Sequence, residues 1–167
     1  MQFKTGDYVV HPSYGVGNIT RLEERRLAEQ EMRLYYVITA DKSTVWVPVD
    51  ANGATGLRRL TPKSDLERYR RVLKSHPVPL AKDHHKRRLE IIERLKQGTF
   101  QTACEAIRDL TAHGWRKRLN DADAALLQKI RESLCREWAA AAAVSAAEAH
   151  EEVEALLTQA RQAYMQE

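Results

Sequence analysis

The apolar residues of this 167-residue chain change their spacing once, near residue 62, and that change constrains the fold more than any other feature. Before it, short runs of β-branched and aromatic residues alternate with turn residues: YVV at 8–10, VGNI at 16–19, LYYVI at 34–38 and TVWVPV at 44–49. Such runs, alternating at a period of two, predict strands. In the last of them Val45, Val47 and Val49 share one face, while Thr44, Trp46 and Pro48 share the other. HPSYG separates the first pair, and 40–43 is short enough to join the second pair as a hairpin. Pro48 has no N–H for a ladder, so its strand ends there or runs along a sheet edge. EERRLAEQEMR at 23–33 reads as a polar, mobile loop or a short helical turn. Four or five short strands in sixty residues predict a small, strongly curved barrel or half-barrel.

After the change the period is helical. Ser64 to Glu67 has the form of a capping box, with Leu66, Tyr69, Val72 and Leu73 following on one face. HPVPL at 76–80 cannot continue a helix and reads as a linker. A second helix is predicted from about 82 to 97, with Leu89, Ile92 and Leu95 inward and Gly98 as its stop. A third spans about 99–112 with Cys104, Ile107 and Leu110 on its stripe, and HGWRKRL forms the next corner. Asn120 caps a fourth carrying Leu126, Leu127, Ile130, Leu134, Cys135 and Trp138. A second capping box, Ser145 with Glu148, opens a fifth whose face holds Val153, Leu156 and Leu157. The fold class is therefore α+β: a β module over 1–62, then an all-α bundle of about five short helices over 63–167.

Several chemistries fail on residue type and spacing. The glycines of the opening stretch, Gly6, Gly15 and Gly17, are not followed by a Lys-Ser/Thr pair or a helix, so they read as corner residues and not as a phosphate cradle. His84 and His85 have no third ligand at metal spacing, and no nucleophile elbow occurs. No enzyme, metal or cofactor is expected. Cys104 and Cys135 are the only cysteines and read as buried thiols of a reducing cytoplasm. No apolar run approaches the length of a membrane span, and no secretory signal opens the sequence.

Charge is more informative. The net of +4 is concentrated in residues 63–98, which carry +6, while 144–167 carry −4. KDHHKRR at 82–88 places Lys82, Lys86, Arg87 and Arg88 at the start of a helix, where cations oppose the dipole. Arg116, Lys117 and Arg118 join this patch if the helices fold back on each other. Charge alone leaves a nucleic-acid partner and a plain solvated face equally open.

The order of motifs narrows the reading. FKxGDxVVxPxxGVG at 3–17, YYVI at 35–38, VWVPV at 45–49 and GLRRL at 56–60 resemble the N-terminal module of the CarD/CdnL family. PLAKDHHKRRLEIIERLKQGT, AIRDL and LNDADAALLQKIRESL resemble its helical C-terminal domain. Transcription-repair coupling factors share a similar first module, but helicase motifs are missing here and the helical half matches the free-standing regulator.

This resemblance implies a Tudor-like, SH3-like half-barrel that binds the β subunit of bacterial RNA polymerase. It also implies a helical domain touching promoter DNA, without base specificity, at the upstream edge of the transcription bubble. Arg25 matches a basic contact residue of the family, and Trp46 with its neighbour Val47 falls on the polymerase-facing strand. Some relatives carry arginine where Trp46 stands, so a more apolar contact is expected. On the DNA side the implied residues are His84, Lys86, Arg87 and Arg88. His84 occupies the position where well-studied relatives place a tryptophan wedge, so open-complex stabilisation is expected to be weaker or to lean on backbone contacts. The alternative is a polymerase-binding adaptor whose DNA wedge is weak or lost. A cytoplasmic monomer without membrane contact completes the expectation.

Overall fold

Five antiparallel strands occupy the first sixty residues of the computed structural model, which describes residues 2–49 and 56–167. They are β1 (Tyr8–His11), β2 (Gly15–Arg25), β3 (Arg33–Ala40), β4 (Ser43–Pro48) and β5 (Arg58–Arg59), hydrogen-bonded in the order β4-β3-β2-β1-β5. The inward face joins Phe3, Val9, Ile19, Tyr36, Ile38, Val47 and Leu57 into one apolar cluster. Phe3 meets Tyr36 edge-to-face at 5.7 Å, and the Phe3 N–H donates to the Tyr36 hydroxyl at 3.3 Å.

The strand β2 is longer than its composition suggested. It runs to Arg25 because Leu22 packs toward the core while Arg21, Glu23 and Arg25 alternate outward, which leaves only 26–32 as the connection. The alternation survives a bulge between Ile19 and Arg21, which twists the strand locally. Of the glycines expected at corners, Gly15 is one, with φ +75°. Gly17 serves a different purpose: a Cβ there would lie 2.5 Å from Cγ2 of Ile38, so its bare backbone lets β3 pack close.

The second compact unit, Thr61–Glu167, is helical. Its first residue is pinned to the bundle, since the Thr61 N–H and hydroxyl donate to Glu137 Oε2 at 3.2 and 2.5 Å. A 3-10 turn at Lys63–Asp65 precedes α1 (Leu66–Lys74), followed by α2 (His84–Leu95), α3 (Phe100–Arg116), α4 (Asp121–Ala142) and α5 (Ala146–Met165). Ser64 lies inside that 3-10 turn, so the expected first capping box does not form, and no side chain caps α1. The second does form: Ser145 Oγ accepts the Glu148 N–H at 3.1 Å. The helix α3 outruns its expected end by one turn, and α4 stops at Ala143, which takes the left-handed conformation at φ +58°.

Tyr69, Phe100 and Trp138 form an aromatic spine in the helical core, with ring centroids 4.7 and 6.1 Å apart along it. Cys104 and Cys135 are fully buried in the same core, and burial pushes both thiols up, that of Cys135 to about 11. The rotation of α2 differs from the sequence expectation. Ile91 and Arg87 point inward, whereas Leu89 is 68% exposed and Ile92 40%. A buried arginine occupies a place that an apolar stripe would normally claim, and it turns the helix about its axis. No helix among the described residues is long and apolar enough to cross a membrane.

Candidate functional site

Two surfaces, one on each unit, hold the residues singled out in the sequence. On the sheet, β4 is hydrogen-bonded only to β3, so its outer backbone edge is unpaired among the described residues. Trp46 stands half-exposed on the outward face of this strand. Its Nε1–H donates to Glu23 Oε2 at 3.3 Å, an oxygen that also accepts from Arg21 Nε at 3.2 Å and Nη2 at 3.0 Å. Arg25 lies with its guanidinium carbon 4.8 Å from the Trp46 ring centre and its Nε 3.7 Å from Glu23 Oε1. The Trp46 hydrogen bond, aided by Arg21 and Arg25, holds the Glu23 carboxyl below its ordinary range, so it stays ionised and keeps the ring oriented.

This plate of Arg21, Glu23, Arg25 and Trp46 lies on the same face as Tyr35 and Val37, which are buried although they belong to the outward side of β3. The structure therefore brings Arg25 and Trp46 together. Val47, grouped with them in the sequence, is 5% exposed and packs in the inner cluster opposite Tyr36, so its side chain is not part of the outer surface. Glu23 and Arg21 were missed. The outward positions of R-L-E-E-R were legible as period-two alternation, but the charge density there favoured a loop.

On the helical unit, the cation-rich first turn of α2 is tolerated because Asp83 caps it, its carboxylate accepting the Lys86 N–H at 2.9 Å. That bond, followed by the nearby histidines and Arg87, holds the Asp83 carboxyl below its ordinary value. His84, His85 and Lys86 are exposed, the two imidazoles lying 4.2 Å apart. Arg87, expected to face DNA, does not: it is 6% exposed and belongs to the interior. Its Nε and Nη2 donate to Asp123 Oδ2 at 2.8 and 2.6 Å, and Nη1 donates to the carbonyls of Ala81 and Lys82 at 3.0 Å. Arg88 is half-buried.

The Arg87–Asp123 pair ties the start of α2 to the start of α4 and so fixes what lies between them. There a small cleft of about 200 Å³ is lined by Lys82 and His84 on one side and Lys117, Arg118 and His113 on the other. Burial, then the nearby Arg87, holds His113 below its ordinary value against the pull of Asp123, which favours the uncharged ring. Lys117 and Arg118 of the basic corner thus join the start of α2 around one cleft, while Arg116 turns to Tyr164. Trp115 is not part of it, since its ring packs at a tilt on Tyr164, with centroids 5.4 Å apart. Among the described residues no three His, Cys, Asp or Glu side chains gather as a metal site.

Comparison with known proteins agrees with this division. A family model described as the CarD-like/TRCF RID domain matches residues 3–61, and one described as the CarD C-terminal domain matches 69–154. Among curated proteins the chain is similar to YdeB, a candidate transcription factor of Bacillus subtilis (strain 168). The two are 27% identical over 137 residues, which cover 81% of this chain and 89% of that protein.

Proposed function

Because the chain belongs to the CarD family, a class of transcription factors and not of enzymes, we propose that it is a non-catalytic regulator bridging RNA polymerase and promoter DNA. The β module docks on the polymerase β subunit through the unpaired edge of β4 and the plate around Trp46. A strand edge supplies backbone hydrogen bonds to a partner strand, and an oriented indole beside an arginine supplies an anchor of the kind that dominates interfaces. The helical domain contacts promoter DNA near the upstream edge of the bubble and modulates open-complex stability. The observation that carries this reading is the convergence of Lys82, His84, Lys117 and Arg118 on one cleft, with Lys86 exposed beside it.

Such cations position a protein on phosphates without reading bases. A handful of phosphate contacts gives weak, salt-sensitive binding, which tethering to polymerase makes effective. The protein acts as a cytoplasmic monomer in this reading. Arg87 takes no direct contact in it and serves to position the groups that do.

His84 favours a second reading. An exposed imidazole covers less area than an indole and is poorer at holding a base step open, which suits an adaptor that binds polymerase with a weak wedge. Two measurements separate these outcomes. Full-length protein is expected to be retained by an isolated polymerase β lobe, and retention is expected to fall at least tenfold in Trp46→Ala. Absence of retention overturns the polymerase reading. The Lys86→Ala/Lys117→Ala/Arg118→Ala variant is expected to shorten open-complex lifetime. An unchanged lifetime with polymerase binding intact selects the adaptor.

A further inference from the structure

A larger cleft, of about 710 Å³, opens on the helical unit where the 76–82 linker passes the C-terminal half of α3 and the end of α5. Clefts that hold small organic ligands are typically about 300–1,000 Å³. Its lining is half apolar, from Pro77, Val78 and Ala112, with the ring of Tyr164 beside them. Tyr164 is held in place by Arg116, which donates to its hydroxyl, and by Trp115 packed against it.

Cations outnumber carboxylates in this cleft, three to two: Lys82, Arg116 and Lys117 against Asp109 and Glu167. Its two carboxylates are already engaged. Asp109 accepts from Arg94 at 2.7 Å, from Arg108 at 2.8 Å and from the Val78 N–H at 2.9 Å, while Glu167 lies 3.0 Å from His76. Lys82 and Lys117 line the cleft with no ion-pair partner among the described residues. With His113, the same two lysines also line the small basic cleft described above, so the two run into each other. The chemistry is that of a ring-binding wall ending in two uncommitted cations.

We propose that this cleft binds a nucleotide-like organic phosphate, its ring against Val78 and Tyr164 and its phosphates on Lys82 and Lys117. Occupancy draws those two cations away from DNA, so the ligand acts as a brake on promoter contact. The braking role rests on the DNA reading given above, whereas the binding itself does not.

The test uses the full chain with three probes, ADP, pyrophosphate and adenosine, by titration calorimetry at low salt. ADP is expected to bind at least fivefold more tightly than either of the others. Tyr164→Ala is expected to weaken ADP about tenfold and leave pyrophosphate unchanged, a split that mere loosening of α5 does not produce. Lys82→Ala/Lys117→Ala is expected to weaken ADP and pyrophosphate alike, while Lys96→Ala, a cation just beyond the far end of α2, changes neither. Absence of ADP binding overturns the proposal. Equal affinity for pyrophosphate and ADP overturns the ring site, and equal affinity for adenosine and ADP overturns the phosphate site.

The brake is read separately, as severalfold weaker binding of forked promoter DNA in the presence of ADP. If ADP binds and the wild-type chain never contacts DNA even when tethered to polymerase, the DNA reading gives way to the adaptor and the ligand site stands. If DNA binds and ADP does not, the ligand site alone fails.

Discussion

Arg87 donates through three nitrogens, to the buried carboxylate of Asp123 and to two partly buried backbone carbonyls. Removing one partner of such a pair strands the other charge in a poorly solvated place, which costs about 3–5 kcal/mol. Arg87→Ala is expected to lower folding free energy by that amount in chemical denaturation, with Arg87→Lys recovering only part because an ammonium lacks the fork. Lys86, one position earlier, is exposed, so Lys86→Ala is expected to change stability by less than about 0.5 kcal/mol. It is expected instead to reduce the salt slope of DNA binding by roughly one, as loss of a single phosphate contact does. Adjacent members of one basic run are thus placed oppositely, Arg87 in the interior and Lys86 at the surface. The sequence shows the run but not the facing carboxylate, since Asp123 lies 36 positions away and looks like an ordinary first-turn acid.

Elements show the same limit in their rotation and ends. Leu89, Ile92 and Leu95 are spaced as an inward stripe, yet Ile91 is the residue at zero exposure, because a pattern count cannot credit a buried arginine. Where the cap lies next to its helix, as at Asn120 and Ser145, the start was legible to the residue. The β4 alternation was equally plain, with Val47 inward and Trp46 outward as its period demands. Among the described glycines, Gly17 has the least room for a side chain. Gly17→Ala drives a methyl into the branched Ile38 side chain, and overpacking of this kind costs about 1–3 kcal/mol. The expected readout is a lower denaturation midpoint for the β module. Gly15→Ala meets no neighbour, so its cost is conformational alone, about 1 kcal/mol for a left-handed residue.

At the scale of the molecule, each unit closes its own apolar cluster, one around Ile19 and Ile38, the other around Trp138 and Ile107. Ile107→Ala is expected to cost about 2–5 kcal/mol in the helical unit and to leave the transition reported by a β-module probe unmoved. Alkali acts on the helical unit through its thiols. The folded pKa of Cys135 is raised to about 11 from 9.0, so the unfolded chain loses that proton first as pH rises. Between about 9 and 11 the folded state binds more protons than the unfolded one, and stability falls with pH. Cys104 is shifted in the same direction by the same cause. A Cys104→Ala/Cys135→Ala variant, compared with wild type across this window, is expected to show a shallower decline. The two-unit division was legible from the change of period, and the meeting of the two basic runs was legible only on condition that the helices fold back. The larger cleft was not, because it draws on segments that only tertiary packing brings side by side.

The burial of both cysteines has a practical corollary. A thiol that stays protonated inside a folded core is nearly blind to maleimides and similar reagents at neutral pH, so the chain comes with a silent background for site-directed labelling. A single cysteine placed at exposed Lys86 is expected to take one fluorophore per folded molecule, confirmed by mass spectrometry, and two more only after denaturant is added. That labelled chain would report by energy transfer how near the start of α2 comes to a dye on promoter DNA.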